Sequence, residues 1–374
     1  MQEILVSRAV TPAGVLSGAR ILVRDGRIAA IEAADVAPDG LWAVPGFVDS
    51  HSHGAVGVSY GDPDLAANRR AIDFHRQHGS TTIIASTVTE PLDKLVAQIK
   101  VLRELVEAGD LAGIHLEGPF LAEAKKGAHD INLLCDPTLE RVETLLEAGG
   151  DAIAMITMAV ERDHMEAAIR RFTEAGVRVA FGHSDATADI ARASFDWGAC
   201  ISTHLFNAMR PIHHREPGAI PALLTDERIM NELICDGVHL AADIAAMAIA
   251  ACGVERTALV TDAMSATGIG DGDYVLGDLA VKVQDGTARL VTSDGSPGAI
   301  AGSTLTMDRA FKFVVSEVGL TIPEAAQVAA TTPARWHGLS DVGALEVGRW
   351  ADVCLVDEQG ELQRVIRRGE LIRG

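Results

Sequence analysis

Hydrophobic and polar positions change period along this chain, and the changes divide it. At the N-terminal end the apolar runs are short and alternating: Ile4-Leu5-Val6, then Ala19-Arg20-Ile21-Leu22-Val23, then Arg27-Ile28-Ala29-Ala30-Ile31 after Asp25-Gly26. An Asp-Gly between two β-like runs is a strong hairpin signal. The C-terminal end behaves the same way, with Ala351 to Val356 and Val365 to Leu371. Each end alone is too small to bury a core. The pattern therefore predicts one small β unit assembled from both ends, residues 1–45 and 339–374, flanking a middle of residues 46–338.

In that middle, strand-like and helix-like segments alternate, as in a parallel α/β fold. Eight strands are expected: Gly46–His51, Thr81–Ser86, Gly113–Glu117, Ala152–Ile156, Val177–Gly182, Cys200–His204, Asn231–Cys235 and Thr257–Thr261. Helical stretches lie between them, among them Pro91–Ala108, Thr138–Ala148, Asp163–Ala175 and Ala241–Ala251. Eight such units predict a (β/α)8 TIM-type barrel with its chemistry at the C-terminal ends of the strands. Residues 271–302 break the rhythm with Gly, Asp and β-like runs at Leu279–Val283 and Ala288–Val291, which reads as a hairpin insertion. The 374 residues suit a barrel of about 250 plus a smaller unit.

The strand ends carry an unusual set of side chains. The first gives His51 and His53, two apart and so on one face. Such a pair reads either as the edge of a metal site or as two histidines capping a core strand through backbone hydrogen bonds. The third strand ends in His115-Leu116-Glu117, the fifth is followed by His183, the sixth reaches His204 and the eighth leads to Asp262. Five of eight strands thus deliver a metal-competent side chain to one lip, and that joint placement favours a functional site.

Composition narrows the class. A hydrophobic fraction of 48% with mean hydropathy +0.18 supplies a large core, yet no apolar run approaches the ~20 residues of a membrane span. The apolar stretch at the start is too short for a secretory signal, so a cytoplasmic location is expected. Five scattered cysteines without Cys-x-x-Cys argue against a disulfide framework or thiolate zinc knuckle. A formal net charge of −20 argues against nucleic acid. It also means that an anionic substrate needs locally placed cations.

Specific stretches resemble the amidohydrolase superfamily, and within it the N-acetylglucosamine-6-phosphate deacetylase family. They are Pro-Gly-Phe-Val-Asp-Ser-His-Ser-His-Gly, His-Leu-Glu-Gly-Pro-Phe, Lys-Lys-Gly-Ala-His, Gly-His-Ser-Asp-Ala-Thr, Thr-His-Leu-Phe-Asn-Ala-Met, Arg-Glu-Pro-Gly, Asp-Gly-Val-His and Val-Thr-Asp-Ala. The resemblance runs nearly end to end. It implies one metal site of Glu117, His183 and His204, and a second of His51, His53, Glu117 and Asp262. Many two-metal relatives bridge their cations with a fourth-strand lysine, but Ala152 to Met158 contains none, which leaves Glu117 as the available bridge. The implied cofactor is one or two divalent ions per subunit, zinc first, with iron, manganese or cobalt as alternatives.

By the same resemblance Asp262 shuttles a proton from water to the departing amine; its alternative is a plain metal ligand. Shuttling would call for an Asp whose pKa is raised. His129 is the implied electrophile at the acetyl carbonyl, as against an exposed loop histidine. Arg215 and His239 are the implied substrate phosphate contacts, with the backbone amides of Asn207 and Ala208. Arg215 would reach into a neighbouring subunit of a homodimer, its alternative being a surface salt bridge to Glu216 or another acid. Cys135 sits in the same loop as His129, either incidental or part of a lid. The implied reaction is hydrolysis of N-acetyl-D-glucosamine 6-phosphate to D-glucosamine 6-phosphate and acetate. The alternatives are another N-acetylhexosamine 6-phosphate, another amide hydrolase of this superfamily, or a metal-free binding protein on a degenerate barrel.

Overall fold

The structure, a computed structural model, describes residues 2–35, 40–293 and 295–374. Met1, residues 36–39 and Asp294 fall within the expected outer β unit and insertion and lie outside the described residues. Both chain ends enter one seven-stranded sheet. Its order is Glu370–Arg373, Leu362–Arg367, Val353–Val356, Trp42–Pro45, Gln2–Thr11, Gly14–Arg24 and Arg27–Ala33. Asp25 and Gly26 both have left-handed φ, +52° and +74°, the backbone that a two-residue hairpin turn requires and that Asp-Gly tolerates. Alternate residues Ala19, Ile21 and Val23 face inward and pack with Val6, Ile28, Val353 and Leu355 into a core of their own.

Trp42–Pro45 is the hinge between the two units. It pairs antiparallel with Val353–Val356 on one side and parallel with Gln2–Thr11 on the other. One residue later the chain becomes the first barrel strand, Phe47–Ser52, in which every side chain is buried. Gly46 makes the passage: a Cβ there would lie 2.2 Å from Thr81 Oγ1.

Among the described residues, eight parallel strands form the second sheet in sequence order: Phe47–Ser52, Ser80–Thr87, Gly113–Glu117, Ile153–Met158, Arg178–Phe181, Ala199–Ser202, Met230–Leu233 and Thr257–Leu259. The sheet closes between its edges. Ser52 and Ala263 form a parallel bridge, Asp262 N–H donates to His51 O at 2.8 Å and His53 N–H to Ala263 O at 2.8 Å. Helices such as Leu92–Glu107, Leu139–Gly149 and Met165–Glu174 cover the outside with the apolar stripe their sequences carry.

Two expectations needed adjusting. The fifth to eighth strands end one to two residues earlier than expected; after the fifth, sixth and eighth the backbone turns into left-handed φ at His183, His204 and Asp262. The insertion is larger than one hairpin: Gly272–Leu276, Leu279–Gln284, Thr287–Val291 and Pro297–Ile300 form a four-stranded antiparallel sheet. It packs on its own small core of Met264, Ala266, Leu276, Val281, Val283 and Ala288, and its tip leans on Val88.

Candidate metal centre and active site

The side chains foreseen at the strand ends converge. His51, His53, Glu117 and Asp262 bring one ligand atom each within 4.8 Å of one another, and so do Glu117, His183 and His204. All six residues are buried. Glu117 belongs to both sets. Its Oε1 lies 3.1 Å from His183 Nε2 and 3.0 Å from His204 Nε2, while Oε2 lies 3.2 Å from His53 Nε2. Asp262 Oδ1 lies 3.1 Å from His53 Nε2 and 3.4 Å from His51 Nε2.

Local backbone strain sets this geometry. His183, His204 and Asp262 each stand just beyond a strand end at positive φ, +48°, +28° and +49°. Non-glycine residues adopt this region rarely and at a cost of order 1–3 kcal/mol. Three such residues on one rim turn their side chains inward where an extended strand would have alternated them away.

Hydrogen bonds behind the ligands determine which nitrogen faces the centre with a lone pair. His183 Nδ1 lies 2.8 Å from the Lys125 carbonyl, which only accepts; the proton is therefore on Nδ1. The bare Nε2 then faces the Glu117 carboxylate and, at 3.1 Å, His204 Nε2. Such a group of acceptors needs positive charge among them, supplied by extra protons or by a cation. Burial opposes charging His51, yet the neighbouring carboxylates of Asp262 and Glu117 raise its pKa well above the usual imidazole value. Burial likewise opposes ionising Glu117, but His51 and the surrounding imidazoles hold it well below the carboxylate range. The donor set, imidazole nitrogen and carboxylate oxygen, suits zinc or a similar divalent ion.

Asp262 corrects one expectation. Burial pushes its pKa up, but charged His51 and His53 outweigh that and hold it at about 2. The carboxylate is ionised, held so by the same imidazoles that share its ligand set.

His129 is buried rather than an exposed loop residue. Burial lowers it to about 4, so it is neutral at pH 7. Thr89 N–H donates to its Nδ1 at 3.3 Å, which places the remaining proton on Nε2, 3.6 Å from Glu117 Oε2. A neutral N–H donor is thereby aimed into the centre.

Above the centre lies a cavity of about 360 Å³ lined by ligand residues, His129, Asn207, Ala208 and His239. His239 Nδ1 is held by Asp236 Oδ2 at 2.7 Å. Lys125 and the insertion residues Leu276 and Ile300 also line it; sequence reasoning passed over all three, although Lys125 lay inside a quoted motif. Arg215 is not among the described lining residues; it is exposed, with Nη1 2.7 Å from His214 Nε2 rather than on Glu216. Cys135 is a half-buried free thiol whose pKa burial raises, and it does not line the cavity. Glu232 is the other omission: a buried carboxylate on the seventh strand, 3.3 Å from His51 Nδ1. Glutamate in a short apolar strand was the available signal.

The amidohydrolase family profile matches residues 42–372. The chain belongs to the amidohydrolase family. This amidohydrolase is 35% identical to an N-acetylgalactosamine-6-phosphate deacetylase of Escherichia coli O157:H7, over 97% of each chain. It is 32% identical to an N-acetylglucosamine-6-phosphate deacetylase of Lysinibacillus sphaericus, over 94% of this chain and 92% of the other. Among solved structures, an N-acetyl-D-glucosamine-6-phosphate deacetylase variant from Mycobacterium smegmatis, in complex with N-acetyl-D-glucosamine-6-phosphate, superposes with TM-score 0.93 at 39% identity over 100% of both chains. The corresponding enzyme from Thermotoga maritima gives TM-score 0.91 at 32% identity, also over 100% of both.

Proposed function

We propose that this chain is an N-acetylglucosamine-6-phosphate deacetylase, releasing acetate and D-glucosamine 6-phosphate in amino sugar metabolism. The observation that carries the reading is the centre itself: imidazoles and carboxylates from five barrel strands meeting at Glu117, beneath a cavity of about 360 Å³ that suits one sugar phosphate. Full-length likeness to deacetylases of phosphorylated amino sugars supports the substrate class.

Glu117, His183 and His204 would hold one divalent ion, and His51, His53, Glu117 and Asp262 a second. Zinc is the preferred metal, with iron, manganese or cobalt as alternatives. When bound, such an ion supplies Lewis acidity at a carbonyl and makes water a nucleophile near neutral pH. His129 donates a hydrogen bond from Nε2–H to the acetyl carbonyl oxygen, where negative charge develops. Asp262, ionised, takes the proton from the attacking water and returns it to the departing amine. His239 and Lys125 with the Asn207 and Ala208 amides meet the sugar phosphate. Arg215 faces outward and serves the phosphate of the neighbouring subunit in a homodimer. The outer β unit, residues 1–45 and 339–374, braces the catalytic unit of residues 46–338. No helix among the described residues is long and apolar enough to cross a membrane, and we assign the enzyme to the cytoplasm.

A second reading keeps the chemistry and changes the epimer: the N-acetylgalactosamine-6-phosphate deacetylase of Escherichia coli O157:H7 is 35% identical. Acetate release from the gluco and galacto N-acetyl 6-phosphates, each beside its unphosphorylated sugar, tests both. A higher kcat/KM for the gluco phosphate supports the first reading and the reverse supports the second. Equal rates with and without phosphate would remove the phosphate assignment.

A further inference from the structure

Glu232 is a barrel-interior carboxylate to which the proposed chemistry gives no role. It lies on the seventh strand, Met230–Leu233, fully buried. Its neighbour Asn231 points the other way, its amide donating to Leu223 O at 3.2 Å; strand alternation therefore turns Glu232 inward. Each carboxylate oxygen has one partner. Ser50 Oγ–H donates to Oε1 at 2.9 Å, and Oε2 lies 3.3 Å from His51 Nδ1. An apolar side chain would fill this place with less desolvation cost, since a buried carboxylate is expensive unless its contacts repay it. The contact available to repay it is His51.

We infer that Glu232 is a positioning residue that equips this chain for a second cation. A carboxylate on Nδ1 fixes the His51 proton there and leaves Nε2 as a lone pair. That Nε2 is the atom facing the second set, 3.1 Å from His53 Nε2 and 3.4 Å from Asp262 Oδ1. The carboxylate also makes the imidazole a stronger donor, as partners behind metal-bound histidines do. The other set has a different arrangement. His183 Nδ1 rests on a neutral carbonyl, Lys125 O, and among the described residues His204 Nδ1 has no hydrogen-bond partner, as is also true of His53 Nδ1 in the set with His51. Among these ligands only His51 is therefore backed by a buried carboxylate, and Glu232 sets how tightly the second ion is held.

The inference rests on the reading that these side chains hold divalent ions. Glu232 touches His51 and not His183 or His204, so the first ion is each protein's own control. Zinc-loaded wild type, Glu232→Gln and Glu232→Met would be titrated with a competing chelator and checked by elemental analysis, with the cobalt-substituted absorption spectrum as an independent view of ligand geometry. Expected is a second-ion affinity weakened about 10–100-fold in Glu232→Met, less in Glu232→Gln, whose amide oxygen still accepts from Nδ1–H. The first ion's affinity stays within error. If Glu232→Met does not fold, Glu232→Gln carries the test through the same selective loss. Two ions held as tightly as in wild type, or both weakened alike, would overturn the positioning role while leaving the metal reading intact. Wild type that binds no divalent ion, or only one with all ligands present, defeats the inference at its root.

Discussion

Nε2 of His51 and Nε2 of His53 lie 3.1 Å apart, from side chains two residues apart on one strand. Nitrogens this close to each other, and to the carboxylates of Asp262 and Glu117, need a proton or a cation between them. His53→Ala removes a ligand from that set only. The expected outcome is one fewer divalent ion per chain by elemental analysis, with the Glu117–His183–His204 ion retained. Glu117→Gln, by contrast, touches both sets and should leave metal near background. Equal metal content in His53→Ala and wild type would remove the second site.

Asp262 and His129 act on different atoms and should fail differently. Asp262→Asn keeps the shape and loses the proton acceptor; kcat should fall about 10²–10⁴-fold while KM moves little. His129→Asn removes the donor aimed at the carbonyl, and kcat should fall about 10²–10³-fold. Steady-state kinetics at saturating metal measures both. Undiminished turnover in Asp262→Asn would reduce that residue to a ligand or a bystander.

Much of this site was legible before any coordinates, for a physical reason. A parallel barrel puts every strand's C-terminal end at one rim, so His51, His53, Glu117, His183, His204 and Asp262 could be collected by counting strands. Two kinds of residue escaped that count. Glu232 and Lys125 act through tertiary contacts that no spacing reports: one reaches sideways to His51, the other lends a backbone carbonyl to His183. Leu276 and Ile300 arrive from an insertion whose local pattern showed one hairpin and whose docking on Val88 is a long-range event. Strand ends were also read slightly long, because the apolar run continues past the point where left-handed φ at His183 and His204 ends the ladder. The shuttle reading called for a raised Asp262 pKa; His51 and His53, brought close by the barrel closure, outweigh burial and lower it.

Arg215 stands exposed beside His214, outside its own chain's cavity. If it serves a neighbouring subunit, Arg215→Ala should raise KM for the phosphorylated substrate about tenfold or more, as loss of a charge-assisted contact does, with kcat little changed. A dimer also permits complementation. Mixing Arg215→Ala chains with Asp262→Asn chains builds hybrids in which one site has both an intact Asp262 and a partner's Arg215. Activity recovered on mixing, beyond the sum of the two parents, supports the shared site; purely additive activity places Arg215's effect within one chain.

Acid stability should report on His75, which lies on helix Leu65–Gln77 behind the strand that carries His51. Its Nε2–H donates to Gly54 O at 2.9 Å, and burial lowers its pKa to about 4. In the unfolded chain an ordinary imidazole titrates near 6.5. Below that pH the unfolded state takes up a proton that the folded state refuses, so this contribution is complete above about 6.5 and is lost as pH falls towards about 4. The full loss is roughly 3 kcal/mol. Buried Asp49 works in the other sense. Burial raises its pKa to about 6, so the cost of burying its charge is relieved over part of the same range. The informative quantity is therefore a difference between proteins. His75→Gln should lower stability at pH 7 through altered packing, yet lose less than wild type on going from pH 7 to 4.5. Thermal melts of both proteins across that range check it: parallel curves would mean that His75 takes up its proton in the folded state as readily as in the unfolded one.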